Sequence, residues 1–371
     1  MSNLEFYLFK YLTKSSTCDS IILTKLHKGE FTMGMNAKEN YMAVIRGEIP
    51  EYLPFYTMFG QPWNGTQQTK SVHAPVFDMS HFGPKGGKDP WGVPHVANEE
   101  TGFASLPEPN NFILDDITKW REVIKAPIPN DIDWELQAKR DYEKAAINRN
   151  ETMVYSGGGI GLFQQLMAFM GFSEGLCAMH EEPEEVKELF QYITDVYLPI
   201  IKNTMEYYRP DVFNLADDSA TKLNPFVSVP MYQELLKPFY AQQTKIAKEY
   251  GVLVAFHNCG RCEDYIPDMI DFGVDLWDPA QPENDLVSII EKYKGTLTVV
   301  GGWDWVPPMT WPECDEEYVR QSVRDSIDKY AKNGGYIFTG GATGAYGDPI
   351  IPQVNAWVKD EVWVYGHEIY K

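Results

Sequence analysis

The sequence predicts an α/β protein, a single TIM-type (β/α)8 barrel preceded by an N-terminal extension. Three observations point there. From Met35 onward, short β-branched or aromatic runs alternate with segments of helical periodicity, the pattern of βα units around a parallel sheet. The chain has 371 residues, 44% of them hydrophobic, enough to fill a barrel-sized core. No Gly-x-Gly-x-x-Gly follows the first strand, which favours a closed barrel over a dinucleotide-binding doubly wound sheet.

Taken in order, residues 1–34 show no continuity with the rest of the chain. They are expected to be an extension, either disordered or upstream of a natural start at Met33 or Met35, with the barrel occupying 35–371. Strands are expected at 53–58, 152–156, 211–215, 252–257, 274–277, 297–301 and 335–339, with helices between them. One helix starts near Pro183, with acidic residues in its first turn and apolar residues at helical spacing. Another runs from Asp315 to Asn333 and stops at Gly334-Gly335.

Composition excludes several classes of function. A formal net charge of -21 argues against nucleic acid, whose binding needs Lys and Arg to neutralise phosphates. No apolar run reaches the roughly 20 residues that span a bilayer, and the N-terminus lacks the apolar core of a signal peptide. The five cysteines, Cys18, Cys177, Cys259, Cys262 and Cys314, form an odd set without disulfide-framework spacing, which fits a reducing compartment. The expected location is therefore cytoplasmic, without membrane contact. Aromatic content is 14%; Phe55, Tyr56, Phe59, Trp63, Phe77, Phe82 and Trp91 lie among prolines and glycines in the first hundred residues, where they can line a pocket or pack a core.

In a barrel of this kind the active site lies at the C-terminal ends of the strands. Polar or aromatic residues follow four consecutive expected strands and a fifth beyond them: Asp217-Asp218, His257 with Cys259, Asp278 with Gln281, Trp303-Asp304-Trp305, and Thr339 to Thr343. His257 and Cys259, two apart on a strand, project to one face. An imidazole and a thiolate aimed at a common point make half of a tetrahedral zinc site. The other reading is a buried strand end, with Cys259 packed as a small hydrophobe and His257 on a backbone carbonyl. Asp217 or Asp218 can equally cap a helix or form an Asx turn, and Asp304 can be a turn residue. Cys262 is a candidate further ligand at a helix start, opposed by Glu263 and Asp264 beside it. Cys177 and Cys314 have no partner nearby in sequence.

His257-Asn-Cys-Gly-Arg-Cys-Glu-Asp-Tyr-Ile-Pro-Asp, then Asp278-Pro-Ala-Gln-Pro282, Gly301-Gly-Trp-Asp304 and Gly334-Gly-Tyr-Ile-Phe-Thr-Gly340 occur in this order, after an opening Asn36-Ala-Lys-Glu-Asn-Tyr and Arg46-Gly-Glu-Ile-Pro50. The set resembles the uroporphyrinogen decarboxylase superfamily and, within it, the corrinoid-dependent methyltransferases of the O-demethylase type. The resemblance implies a TIM barrel with its site at the C-terminal mouth and a zinc held by a His-x-Cys pair and a more distant Cys. His257 and Cys259 match the pair. The third departs, because Ala342 stands where that branch has its Cys; Cys262, Asp218 or Asp217 are then the candidates to complete the site. The decarboxylase branch carries an Arg-Gln-Ala-Gly-Arg segment for a polycarboxylate substrate, the kind of recognition arginine supplies. Here the corresponding stretch is Phe59-Gly-Gln-Pro-Trp63, and the whole chain has eight arginines.

The resemblance thus implies transfer of a methyl group from a small donor to the cobalt of a corrinoid (cobalamin) carried by a partner protein that docks over the mouth. Zinc would act as a Lewis acid on the leaving atom, with Asp218 or Asp304 positioning or protonating it. Tyr56, Phe59, Trp63, Trp277 and Trp303 are expected to line the donor pocket, which suggests an aryl methyl ether. The alternatives are a methylcorrinoid:thiol methyltransferase, or a decarboxylase-like or non-catalytic barrel in which His257 and Cys259 are structural.

Overall fold

A computed structural model describes residues 34–57, 66–83, 85–98, 104–303, 314–342 and 348–371. Its centre is a curled sheet of seven parallel strands: β1 (Thr69–Ser71), β5 (Met153–Gly157), β6 (Val212–Ala216), β7 (Leu253–His257), β8 (Leu276–Ala280), β9 (Thr298–Gly302) and β10 (Tyr336–Thr339), paired in that order. Between β1 and β5 the chain inserts a small antiparallel sheet of β2 (Gly87–Lys88), β3 (Pro94–Val96) and β4 (Leu106–Pro107). The architecture is the TIM-like α/β fold that the alternation of strand and helix patterns predicts.

The segment expected as a first strand at 53–58 is reduced to one parallel bridge, Phe55 to Phe338. Pro54 explains part of this, since it has no N–H to give a ladder. Around it, Tyr56 N donates to Phe338 O at 2.9 Å and Phe338 N to Pro54 O at 3.1 Å. On the other side Phe55 N donates to the side-chain Oε1 of Gln68 at 3.1 Å. A side chain therefore stands in for strand pairing at the seam before β1.

Alternation along each strand sorts the core into two layers. Tyr56, Met153, Tyr155, Val212, Ala255, Leu276, Val300 and Ile337 form a cluster inside the curl, closed from below by Tyr41 and Val44 of the helix Ala37–Ile45. The intervening residues, among them Phe213, Leu215, Phe256, Trp277, Val299 and Phe338, join the much larger cluster that packs the helices against the sheet. The helices keep the expected signals. Pro183 opens Pro183–Asn203, and Asp315 caps Glu316–Tyr330 by accepting from Glu317 N and Tyr318 N at 2.8 and 3.2 Å. No helix among the described residues is long and apolar enough to cross a membrane.

Candidate metal centre

Parallel register builds the site. Ala216 of β6 pairs with His257 of β7, and His257 with Asp278 of β8. Three strands thus bring their C-terminal ends to one place. His257 Nδ1 lies 2.7 Å from Asp278 Oδ1, with the Asp278 side chain almost fully buried. A carboxylate accepts only, so Nδ1 carries a proton and Nε2 is left to face the site. That Nε2 lies 3.6 Å from Cys259 Sγ and 4.0 Å from Asp218 Oδ1.

Asp218, His257 and Cys259 place an oxygen, a nitrogen and a sulfur within 4.8 Å of one another. Asp218 is fixed from two sides: Cys259 N donates to its Oδ1 at 2.8 Å, and Gln164 Nε2 to its Oδ2 at 3.3 Å. After Cys259 the chain turns through Gly260, whose φ is +92°; a Cβ there would stand 2.6 Å from the carbonyl oxygens of Ala220 and Thr221. Gly260 N donates to Gln281 Oε1 at 2.6 Å, so the turn is held as well as permitted.

Burial opposes charge on the His257 imidazole, yet the bond to Asp278 and the neighbouring Cys259 outweigh it and push its pKa up to about 11; a zinc ion taking Nε2 would therefore displace a second proton from the ring. Burial raises the Cys259 thiol above its ordinary value. Three donors of graded softness, one backed by a carboxylate on its far nitrogen, fit a zinc ion with a fourth position left open.

Neighbouring residues take other roles. Asp217 points away from the cluster, fully buried, and accepts from Phe163 N at 2.8 Å, Gln164 N at 2.9 Å and Tyr240 OH at 2.5 Å. It thereby caps the helix Leu162–Met170 that delivers Gln164. Desolvation raises its carboxyl to about 6 in spite of these bonds. Cys262 is completely buried and its thiol donates to Asn258 O at 3.5 Å, outside the three-residue cluster. Trp277 donates to that same carbonyl at 3.1 Å from the helix-facing side of β8. Trp303 likewise lies in the helix layer, its Nε1 on Ser322 Oγ at 3.1 Å. Tyr56 faces the interior of the curl against Tyr155, ring centroids 5.1 Å apart. Ala342, backbone-bound to Asn355, offers no donor side chain. Phe59, Trp63 and Asp304 lie outside the described residues. Sequence reasoning missed Gln164; it allowed Asp217 as a helix cap, but for the helix that follows it, whereas the helix it caps, Leu162–Met170, precedes it in the chain.

The TIM-like sheet thus carries an Asp-His-Cys cluster at its C-terminal edge. The chain belongs to the uroporphyrinogen decarboxylase (URO-D) family, whose sequence model matches residues 97–357. Among solved structures, a methyltransferase from Methanosarcina mazei is similar with a TM-score of 0.54 at 13% identity, over 89% of this chain and 99% of that one. A psychrophilic glycoside hydrolase family 10 endo-β-1,4-xylanase is similar over 62% of this chain and 82% of its own, with a TM-score of 0.37 and 10% identity. No curated protein sequence matches.

Proposed function

We propose that this protein is a methyltransferase that moves a methyl group from a small donor, an aryl methyl ether, to the cobalt of a corrinoid carried by a partner protein. The observation that carries the reading is the Asp218, His257 and Cys259 cluster with Asp278 behind it. The URO-D family membership and the methyltransferase named among its structural neighbours support it. Asp218, His257 and Cys259 would hold zinc, which when bound supplies a Lewis acid for the donor's leaving atom.

The chain's own residues prepare that position. Asp278 keeps the His257 proton on Nδ1 and so keeps Nε2 available. Gln164 and the Cys259 backbone orient Asp218. Burial of the surrounding wall lowers the local dielectric and strengthens each of these interactions. No side chain is required as a nucleophile, because the corrinoid supplies one. Such a protein works in the cytoplasm, and the corrinoid protein docks over the strand ends.

Two measurements test this. Purified protein should contain one zinc per chain, lost in folded His257→Ala and Cys259→Ala variants. It should also methylate cob(I)alamin from an aryl methyl ether, seen in the cobalamin spectrum. Transfer from methanol or a methylamine but no aryl ether would sink the donor assignment; absence of zinc from wild type would sink the metal site.

A further inference from the structure

A cavity of about 730 Å3 lies beside the cluster, within the size range of small-molecule sites. Its inner wall is the glycine run Gly157–Gly161 with Gln164, the residue that also holds Asp218. Much of its outer wall comes from residues 73–95, which precede the region matched by the family. The body of the cavity is aromatic. Phe77 meets Tyr197 edge-on at 5.8 Å, and Trp91 stacks on Tyr197 at 6.4 Å, with Trp91 Nε1 donating to its hydroxyl at 3.3 Å.

One part of the wall is polar and unsatisfied. His81 is 3% exposed, and among the described residues its Nδ1 has no hydrogen-bond partner; neither has His95 Nε2. Asp89 Oδ2 stands 3.6 Å from that nitrogen, both side chains about nine-tenths buried. Ser105 gives its proton to His81 O at 2.6 Å and so meets His95 Nδ1, 3.4 Å away, as an acceptor. In its neutral form His95 therefore carries its proton on Nδ1 and turns a lone pair toward Asp89, which is itself an acceptor. Two buried acceptors side by side call for a donor. Unpaired buried groups of this kind cost about 1–3 kcal/mol each.

We propose that this cavity binds a small uncharged ring compound bearing a hydroxyl group, with His81, His95 and Asp89 selecting the hydroxyl and Phe77, Trp91 and Tyr197 enclosing the ring. A hydroxyl places its one proton between His95 Nε2 and Asp89 Oδ2, 3.6 Å apart, and can accept in turn. A ring carboxylate brings no proton and meets the Asp89 charge, so it is rejected. That the bound ring is the methyl donor, its transferable group toward Gln164, rests on the function proposed above.

The test is calorimetric binding to the full chain with three probes: 4-methoxyphenol, methoxybenzene and 4-methoxybenzoate. Wild type should bind 4-methoxyphenol at least about tenfold more tightly than either of the others. Asp89→Asn keeps an oxygen for Val93 N, which Asp89 accepts at 2.8 Å, but replaces the acceptor with an amide. It should lose the preference for phenol and gain affinity for the benzoate. Gly157→Ala adds a methyl in ordinary contact, 3.6 Å from Asn214 O and 3.7 Å from His73 Nδ1, and should weaken all ring binding while the protein stays folded. Equal affinity for the three probes, or no binding of any, overturns the proposal. Methyl transfer from methanol with no ring bound overturns this site alone and leaves the methyltransferase reading standing. Hydroxyl-selective binding in a chain that transfers no methyl group supports the site and removes that reading.

Discussion

Replacing Asp217 by alanine is expected to lower stability by about 3 kcal/mol, and the figure comes from its surroundings. The carboxylate is fully buried and accepts three hydrogen bonds, from Phe163 N, Gln164 N and Tyr240 OH. Alanine leaves Phe163 N, Gln164 N and Tyr240 OH without this acceptor, which costs about 1–3 kcal/mol each. Burial lifts the carboxyl to about 6 even with the three bonds in place, so the charge is held at a cost and the figure falls at the low end of that range, about 3 kcal/mol in all. The loss should appear as a fall in Tm of about 6 °C, taking about 2 °C per kcal/mol for a large domain. Asp217→Asn keeps one acceptor oxygen and should lose about half as much. Urea unfolding at fixed pH, followed by circular dichroism, gives the number. An alanine variant within about 1 kcal/mol of wild type would refute the view that this carboxylate secures the helix that carries Gln164.

Other contacts lead to three further outcomes. Asp278→Ala should weaken zinc binding about 10–100-fold in a chelator competition, and Asp278→Asn less, because an amide oxygen still accepts from Nδ1; equal affinities in all three proteins would remove Asp278 from the site. Gly260→Ala should destabilise by about 1–3 kcal/mol, since its φ is +92° and two carbonyl oxygens stand where the methyl must go; a neutral effect on the urea midpoint contradicts the tight turn after Cys259. Burial holds His367 below the ordinary imidazole value, so it stays neutral in the fold and takes up a proton on unfolding. Its contribution is whole above about pH 6.5 and is lost as pH falls below that. His367→Phe, which can keep the stack on Tyr52 seen at 4.8 Å, should therefore lose less stability than wild type between pH 7.5 and 5.5.

The parts of the fold legible in the sequence are those with a local signal. Five of the seven expected strands form within one residue of their expected bounds, and a sixth, expected at 274–277, forms at Leu276–Ala280, because an apolar run marks each; β1 (Thr69–Ser71) was not expected. The inserted sheet β2–β4 was not legible, since strands of two or three residues containing Gly87, Pro94 and Pro107 have no period to read. Asp218 could be a candidate ligand but not an assured one, because what sets it beside His257 is the register of β6 on β7, a non-local fact.

Alternation also governs which residues can share the mouth, and the sequence already contained that constraint. Trp277 and Asp278 are adjacent on one strand, so they cannot both face inward. Once Asp278 pairs with His257, Trp277 must turn to the helices, where it is found. Asp217 and Asp218 divide in the same way: one leaves toward the helix Leu162–Met170, the other toward Cys259. The aromatic residues expected to line a donor pocket at the strand ends are thus partly spent on packing. The aromatic cavity beside the cluster is instead walled largely by the chain between β1 and β5, where no strand periodicity points to it. Ligand selectivity would then reside in an insertion and metal chemistry in the sheet, so the two can vary independently within one fold.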